Sequence, residues 1–382
     1  MNPSPRLKWI VLLASFLAQF SFLFLMQSVP PILPEIMKEF SVDYSTASTL
    51  MLLVALPSVA LSLFAGYLGQ RYGVKRATTI GLILVSAGSI ASVMATTFTF
   101  LQASRLIMGI GGALVTVIAP ISVYQFFETK QMGLAMGVTG QVMPFATVIA
   151  FNSLGIIQIL SGWRTVLTIS AVISIICTLI YVATVREKKS KNINKLELKA
   201  LSNTKLWIVG LIWGFFNMAS VSYGTWAKTL FTQFNGLPPT YSDFLASAFM
   251  IGGFACPVAG FLSDKTGKRR IFLIISTAGI TSTFAAFSFI DRSLFLPFAL
   301  MLGTFDFLLP SVILALPEEI IGKENGGIAM GVLSSCMNIG IVIGPTLIGA
   351  LLDLTGNGTL SFLALACYMG VALILSLALK TR

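Results

Sequence analysis

Gly66-Tyr-Leu-Gly-Gln-Arg-Tyr-Gly-Val-Lys-Arg76 and Gly260-Phe-Leu-Ser-Asp-Lys-Thr-Gly-Lys-Arg-Arg270 are two versions of one short basic turn, offset by 194 residues (260 minus 66). At the same offset Gly109 falls on Gly303, and Gly133-Leu-Ala-Met-Gly-Val138 falls on Gly327-Ile-Ala-Met-Gly-Val332. Three separated matches without a gap mark a duplicated chain. In each copy the basic turn follows the second long apolar run of its half.

The solvent follows from composition. Of 382 residues, 56% are hydrophobic and 10% charged, and mean hydropathy is +0.90. Soluble domains carry about 25% charged residues, so this chain cannot cover a water-facing surface, and a lipid bilayer remains. A span takes about 20 apolar residues, which gives room for about twelve. The apolar runs are 9–29, 45–66, 77–97, 101–126, 133–157, 165–185, 206–231, 241–262, 271–290, 294–317, 327–351 and 360–379. The first is too long, and lacks the small-residue cleavage site, to be a removable signal peptide, so it reads as an uncleaved span. The longest polar stretch, 186–205, is a basic linker between two six-span halves.

Lysine and arginine set the orientation. With the N-terminus inside, 20 of the 25 Lys and Arg fall on the inner face, whereas the acids divide seven inside and six outside, with Asp306 in a span. That is a cation bias, the signature of cytoplasmic loops. Both termini and the linker are therefore expected in the cytoplasm, with the chain in the cell's inner (plasma) membrane. The net charge of +11 belongs to this bias and does not imply a nucleic-acid partner. With no histidine in the chain, His-based zinc, haem and triad sites are excluded, and proton traffic must use carboxylates. The four cysteines lie in apolar runs without CxxC spacing, as packing residues. No cofactor, metal site or enzymatic activity is expected, and the chain is expected to act as a monomer.

With these features the chain resembles the major facilitator superfamily over essentially its whole length. Gly66-x-Leu68-x-Gln70-Arg71-x-Gly73-x-Lys75-Arg76 looks like that family's loop signature. Gly260, Leu262, Asp264, Gly267, Lys268, Arg269 and Arg270 repeat it. Arg105-x-x-x-Gly109-x-Gly111-Gly112 is similar to the family's span-4 pattern, and Gly162-Trp163-Arg164 before span 6 is another familiar element. Gly340-x-x-x-Gly344-Pro345-x-x-x-Gly349 resembles its Gly-Pro motif, whose usual home is span 5; there this chain has Ala146, Ala150 and Phe151. Pro345 should kink span 11.

The resemblance implies an all-α integral membrane fold, twelve transmembrane helices in two pseudo-symmetric six-helix bundles at 1–185 and 206–382. In such folds the solute site lies near the bilayer midplane between the halves. It also implies gating loops at Gly66, Gln70, Arg71 and Gly73 and at Gly260, Asp264, Gly267 and Arg269, with Gly73 and Gly267 in tight turns at φ > 0. Asp264 suits the loop acid that caps a helix N-terminus. Gln70 carries no charge, so the first lock should be the weaker.

Three ionisable residues fall within spans, where an unpaired charge costs at least ~2.5–3.5 kcal/mol. Asp306 lies about twelve residues into span 10, ~18 Å along a helix. It is the candidate proton- or cation-binding group. Lys228 either lines the cavity and holds an anion or snorkels to the interface. Arg105 either faces the cavity or bonds backbone carbonyls. Gln19, Gln141, Asn217 and Asn338 add mid-span polar groups, each able to serve a solute or an interhelical hydrogen bond. Trp213, Tyr223 and Trp226 can stack on a solute, and Trp226 equally suits the outer aromatic belt. The embedded charges sum to +1, which favours a small anion.

The function expected is a secondary-active carrier of a small solute, working by alternating access with a co-transported proton. The alternatives are a proton-coupled drug exporter, which the missing span-5 motif weakens, and a receptor or scaffold that keeps the fold but transports nothing.

Overall fold

In a computed structural model of the chain the described residues are 5–127, 138–185, 202–255, 268–314 and 326–379, with 135, 266, 316 and 320. They form helices, with no strand among them, and ten helices are long and apolar enough to cross a membrane. Lipid offers backbone groups no partner, so a spanning segment must satisfy them within itself, as a helix does. The chain divides into two compact units. One comprises Met1–Ser41 and Thr49–Asn194, the other Val42–Ser48 and Lys195–Arg382. Residues 186–201, most of the expected linker, lie outside the described residues.

The first unit is built from α1 (Pro5–Gln27), α2 (Leu33–Phe40), α3 (Tyr44–Tyr72), α4 (Val74–Val93) and α5 (Phe98–Phe126). It continues through α6 (Val142–Ile149), a π-helical turn at Ala150–Leu154, α7 (Gly155–Ser161) and α8 (Trp163–Thr184). Only the first five residues of α3 belong to the other unit. Gly73 has φ +97°, as the turn signature requires, and opens α4 directly after α3 ends. Gly162, at φ +80°, likewise joins α7 to α8. The π turn was not expected. It contains Ala150 and Phe151, the positions where the resembled motif would have glycine and proline.

The second unit holds α9 (Thr204–Thr229), a π turn at Leu230–Phe234, α10 (Pro239–Ala248) and a 3₁₀ segment at Phe249–Ala255. After these come α11 (Arg269–Ala286), α12 (Phe295–Ile313), α13 (Gly326–Thr355) and α14 (Gly358–Ala378). α13 runs through Pro345 as one helix. The carbonyl of Pro345 accepts the Trp226 indole N–H at 2.8 Å. Val42–Ser48 pack here: the Asp353 carboxylate accepts the N–H groups of Tyr44 (2.8 Å) and Ser45 (2.7 Å), a charged cap on the first turn of α3.

The duplication is visible in the packing of each unit. A methyl group on Gly109 of α5 would fall on the backbone carbonyl of Val54 in α3. A methyl on Gly303 of α12 would fall on the carbonyl of Phe249, one position along from the residue equivalent to Val54. These are the glycines paired by the 194-residue offset (303 minus 109). In lipid, such backbone-to-backbone approach is what small residues permit. A second pair has diverged. Gly111 of α5 packs on the backbone of α4 at Gly81 and Val85, whereas at the equivalent places in the second unit Gly279 of α11 takes the ring of Phe305 from α12. The small residue has moved to the other helix. Spans 7 and 11 meet the same way, Gly340 over the Gly214 carbonyl and Gly344 over that of Met218.

Candidate functional site

In the second unit Asp306 lies on α12 with 5% of its surface exposed. The Ser220 hydroxyl of α9 donates to its Oδ1 at 2.6 Å. Asp306 makes no ion pair among the described residues. Asn217 and Asn338, on α9 and α13, each donate to the carbonyl four residues back (Trp213 and Ser334, both 2.8 Å), so their amides are turned to their own helices. The Trp213 ring stacks on Phe216 at 5.1 Å.

Tyr223 is fully buried. Its hydroxyl donates to the Leu245 carbonyl at 3.4 Å, and its ring is boxed by Phe231, Phe249, Phe284 and Phe287. Trp226 is also fully buried, donating to the Pro345 carbonyl and meeting the Tyr44 ring edge-to-face at 5.5 Å. It belongs to the protein interior and to no outer aromatic belt. Neither expectation for Lys228 describes its position: it is 2% exposed, and its Nζ lies 3.0 Å from Asp243 Oδ2 on α10. Asp243, two residues into the expected span 8 but counted by sequence among the six outer acids, is buried at 2%. With it, Arg105 and Lys228 are balanced by Asp306 and Asp243, and the excess embedded cation that favoured an anion disappears.

In the first unit Arg105 is 1% exposed. Its Nε donates to the Leu50 carbonyl at 3.3 Å and its Nη1 to the Leu25 carbonyl at 3.1 Å, which ties α5 to α3 and α1. This is the carbonyl-bonding alternative, although Nη2 has no hydrogen-bond partner among the described residues. Gln19, 7% exposed, donates to the carbonyl of Ser15 at 3.3 Å and sits beside a ladder of rings, Phe16, Phe20, Phe24 and Phe145. Gln141 stands at the residue before α6, with its side chain half-buried. Gln27, which the sequence reading passed over, is buried and donates to the Thr147 hydroxyl at 3.1 Å, joining α1 to α6.

Of the expected gating residues, Gly260, Asp264 and Gly267 lie outside the described residues, while Gly66 and Gln70 fall on the last turns of α3. Arg71 is exposed beside the Tyr72 ring, its guanidinium 5.5 Å from the centroid. Arg269 opens α11, and its neighbour Arg270 donates to the Leu377 carbonyl at 2.7 Å, a cation on the last turn of α14. At the Gly162-Trp163-Arg164 element, Glu39 of α2 takes the Trp163 indole N–H (2.7 Å) and pairs with Arg164 (2.7 Å). A cavity of about 380 Å³ opens beside Asn235, Ser288, Asn357 and Thr359; it is lined by Phe287, a wall of the box around Tyr223, and by none of the described predicted site residues themselves.

The family model described as the Major Facilitator Superfamily matches residues 15–287 and 227–382. The chain belongs to this superfamily. The lysosomal dipeptide transporter MFSD1 of Danio rerio is 24% identical over 341 residues, covering 81% of this chain and 73% of that protein. The nitrite extrusion protein of Bacillus subtilis (strain 168) is also 24% identical, over 82% of this chain and 81% of its own length. A probable sulfoacetate transporter, SauU, of Cupriavidus necator is 21% identical over 90% and 87%. Among solved structures, a bacterial homologue of the human lysosomal transporter Spinster, inward-facing and unoccupied, superposes with a TM-score of 0.76. That match covers 99% of this chain and 98% of that one at 17% identity, and so bears on fold alone. The superfamily fold, twelve helices in two six-helix halves, is the one expected from the sequence.

Proposed function

We propose that this superfamily member is a secondary-active carrier that moves a small anion across the plasma membrane by alternating access, together with a proton. It works as a monomer with both termini in the cytoplasm, and its cycle makes and breaks no covalent bond of the solute. The observation that carries the coupling is Asp306, a buried carboxylate with a hydroxyl donor and no paired cation among the described residues. An intramembrane carboxylate without a counter-charge is costly to keep ionised and marks an ion pathway. Binding a proton neutralises it and removes its repulsion of an anion, so proton and anion enter together. Support for an anion comes from relatives, since nitrite and sulfoacetate are small anions, and no longer from the embedded charge sum. The cation bias of the loops supports the orientation.

The test is uptake of radiolabelled nitrate, sulfoacetate and glucuronate into proteoliposomes under an imposed pH gradient. Uptake of at least one that collapses with the gradient, and that becomes independent of the gradient in Asp306→Asn, is the expected result. Gradient-driven uptake unaltered in Asp306→Asn removes Asp306 from the coupling, and no uptake of any anion overturns the substrate class.

A further inference from the structure

Ser220 stands out among the polar residues of α9. Asn217, Ser222 and Thr225 each donate to the carbonyl four residues back, on Trp213, Met218 and Val221. Such back-bonding is the ordinary resting place of a hydroxyl or amide within a helix. Ser220 instead crosses to another helix and donates a hydrogen bond to Asp306 Oδ1 at 2.6 Å, the short range of a hydroxyl bonded to an ionised acceptor. The helices packed around α12 bring few other charges. Tyr223 and Lys228 lie further along α9, with Tyr223 bonded to Leu245 and Lys228 to Asp243 of α10. Tyr241 also lies on α10, Arg269 and Arg270 open α11, Arg292 precedes α12, and the 3₁₀ segment Phe249–Ala255 has no titratable side chain. No cation is paired with Asp306 among the described residues, so Ser220 is the group that answers its charge.

We infer that Ser220 is the positioning residue for proton exchange at Asp306, acting as a hydroxyl that reverses its hydrogen bond with each protonation. A serine hydroxyl holds one donor and two acceptor sites. While Asp306 is ionised, Ser220 donates to it. When Asp306 takes a proton, its O–H donates to Ser220 Oγ, and the serine proton turns to the carbonyl of Phe216, four residues back. One O–H bond forms on the carboxyl, with the proton taken from water, none breaks on the serine, and in both states the Ser220–Asp306 hydrogen bond is kept, whose loss would cost ~1–3 kcal/mol. The hydroxyl thus lets a carboxyl in an apolar bundle change charge without moving a helix. This rests on the reading of Asp306 as the proton-carrying group.

Infrared difference spectroscopy of the purified full-length protein, titrated with acid and with no solute present, tests both steps separately. The carbonyl band that appears on acidification and is missing in Asp306→Asn reports protonated Asp306. In Ser220→Ala that band is expected to shift to higher wavenumber, as a carboxyl does on losing a hydrogen bond, and in Ser220→Thr, which keeps the hydroxyl, to return. A band present but unmoved in Ser220→Ala, or moved equally in Ser220→Thr, overturns the role of Ser220. A spectrum in which no band is lost in Asp306→Asn overturns the protonation of Asp306 itself, and this proposal with it.

Discussion

Lys228 and Asp243 hold each other at 3.0 Å inside the second unit, with side chains 3% and 2% exposed. The pair ties α9 to α10 just ahead of the π turn at Leu230–Phe234. Removing one member of a buried pair strands the other, which costs ~3–5 kcal/mol, whereas replacing both by apolar residues can be neutral. Lys228→Met and Asp243→Leu are each expected to lower the midpoint of thermal unfolding in detergent strongly, and the double variant to recover most of the loss. Additive losses in the double variant would show that the pair is not a unit.

Arg105 is expected to resist its conservative replacement. Its fork reaches two carbonyls on two helices, Leu50 at 3.3 Å and Leu25 at 3.1 Å, and a lysine amine, one point on a flexible stem, cannot copy that spread. Each buried carbonyl left without its charged donor costs ~1–3 kcal/mol. Arg105→Lys should therefore lose stability close to that of Arg105→Met, checked by residual folded fraction against temperature. A variant with lysine as stable as the parent would assign Arg105 to the solute path instead.

Gly303 has no room for a side chain, because a methyl group there meets the Phe249 carbonyl, while Gly370 on α14 has open space within 4 Å. Gly303→Ala should reduce the yield of monodisperse protein on size exclusion, by a strain of at least ~1–3 kcal/mol. Gly370→Ala should leave it unchanged or raised, since alanine is the better helix former.

Asp43 precedes α3, where its Oδ1 accepts the Thr46 N–H at 2.8 Å and the Ser45 hydroxyl at 3.3 Å. The hydrogen bonds from Thr46, chiefly, hold its carboxyl below the usual carboxylate range. A depressed value contributes stability that is complete above the unfolded-chain pKa of about 3.9 and is lost as pH falls through the folded value. The difference in melting temperature between the parent and Asp43→Ala should stay constant from about pH 8 to about pH 5 and close below about pH 4. Its size should be modest, because the group is exposed.

The fold was legible because duplication and hydropathy are properties of one chain read against itself: Gly109 and Gly303 could be paired by offset alone, and the backbone contacts at both follow. The site was less so. Asp243 sits two residues inside the expected start of span 8, and hydropathy alone cannot tell a loop acid from one folded under against Lys228. Ser220 and Gln27 carry no charge, and nothing in sequence marks which of many serines and glutamines reaches across to another helix. Trp226 was placed by residue type, and its burial is decided by Pro345 and Tyr44, both distant in sequence. The sequence does hold a signal for Asp243: a lysine within a span needs a counter-charge, and Asp243 is the one carboxylate in the run expected for the next span.

The exchange of bulk between Val85–Gly111 and Gly279–Phe305 has a consequence for anyone recombining the two copies. Transplanting α12 alone into the place of α5 would press a phenylalanine against valine, and the reverse graft would leave a hole where the ring had been. Moved together with its neighbour, either helix brings a seam that already closes. The heritable module in this carrier is accordingly a helix couple, and ancestral reconstruction or chimera design should cut between couples and never through one.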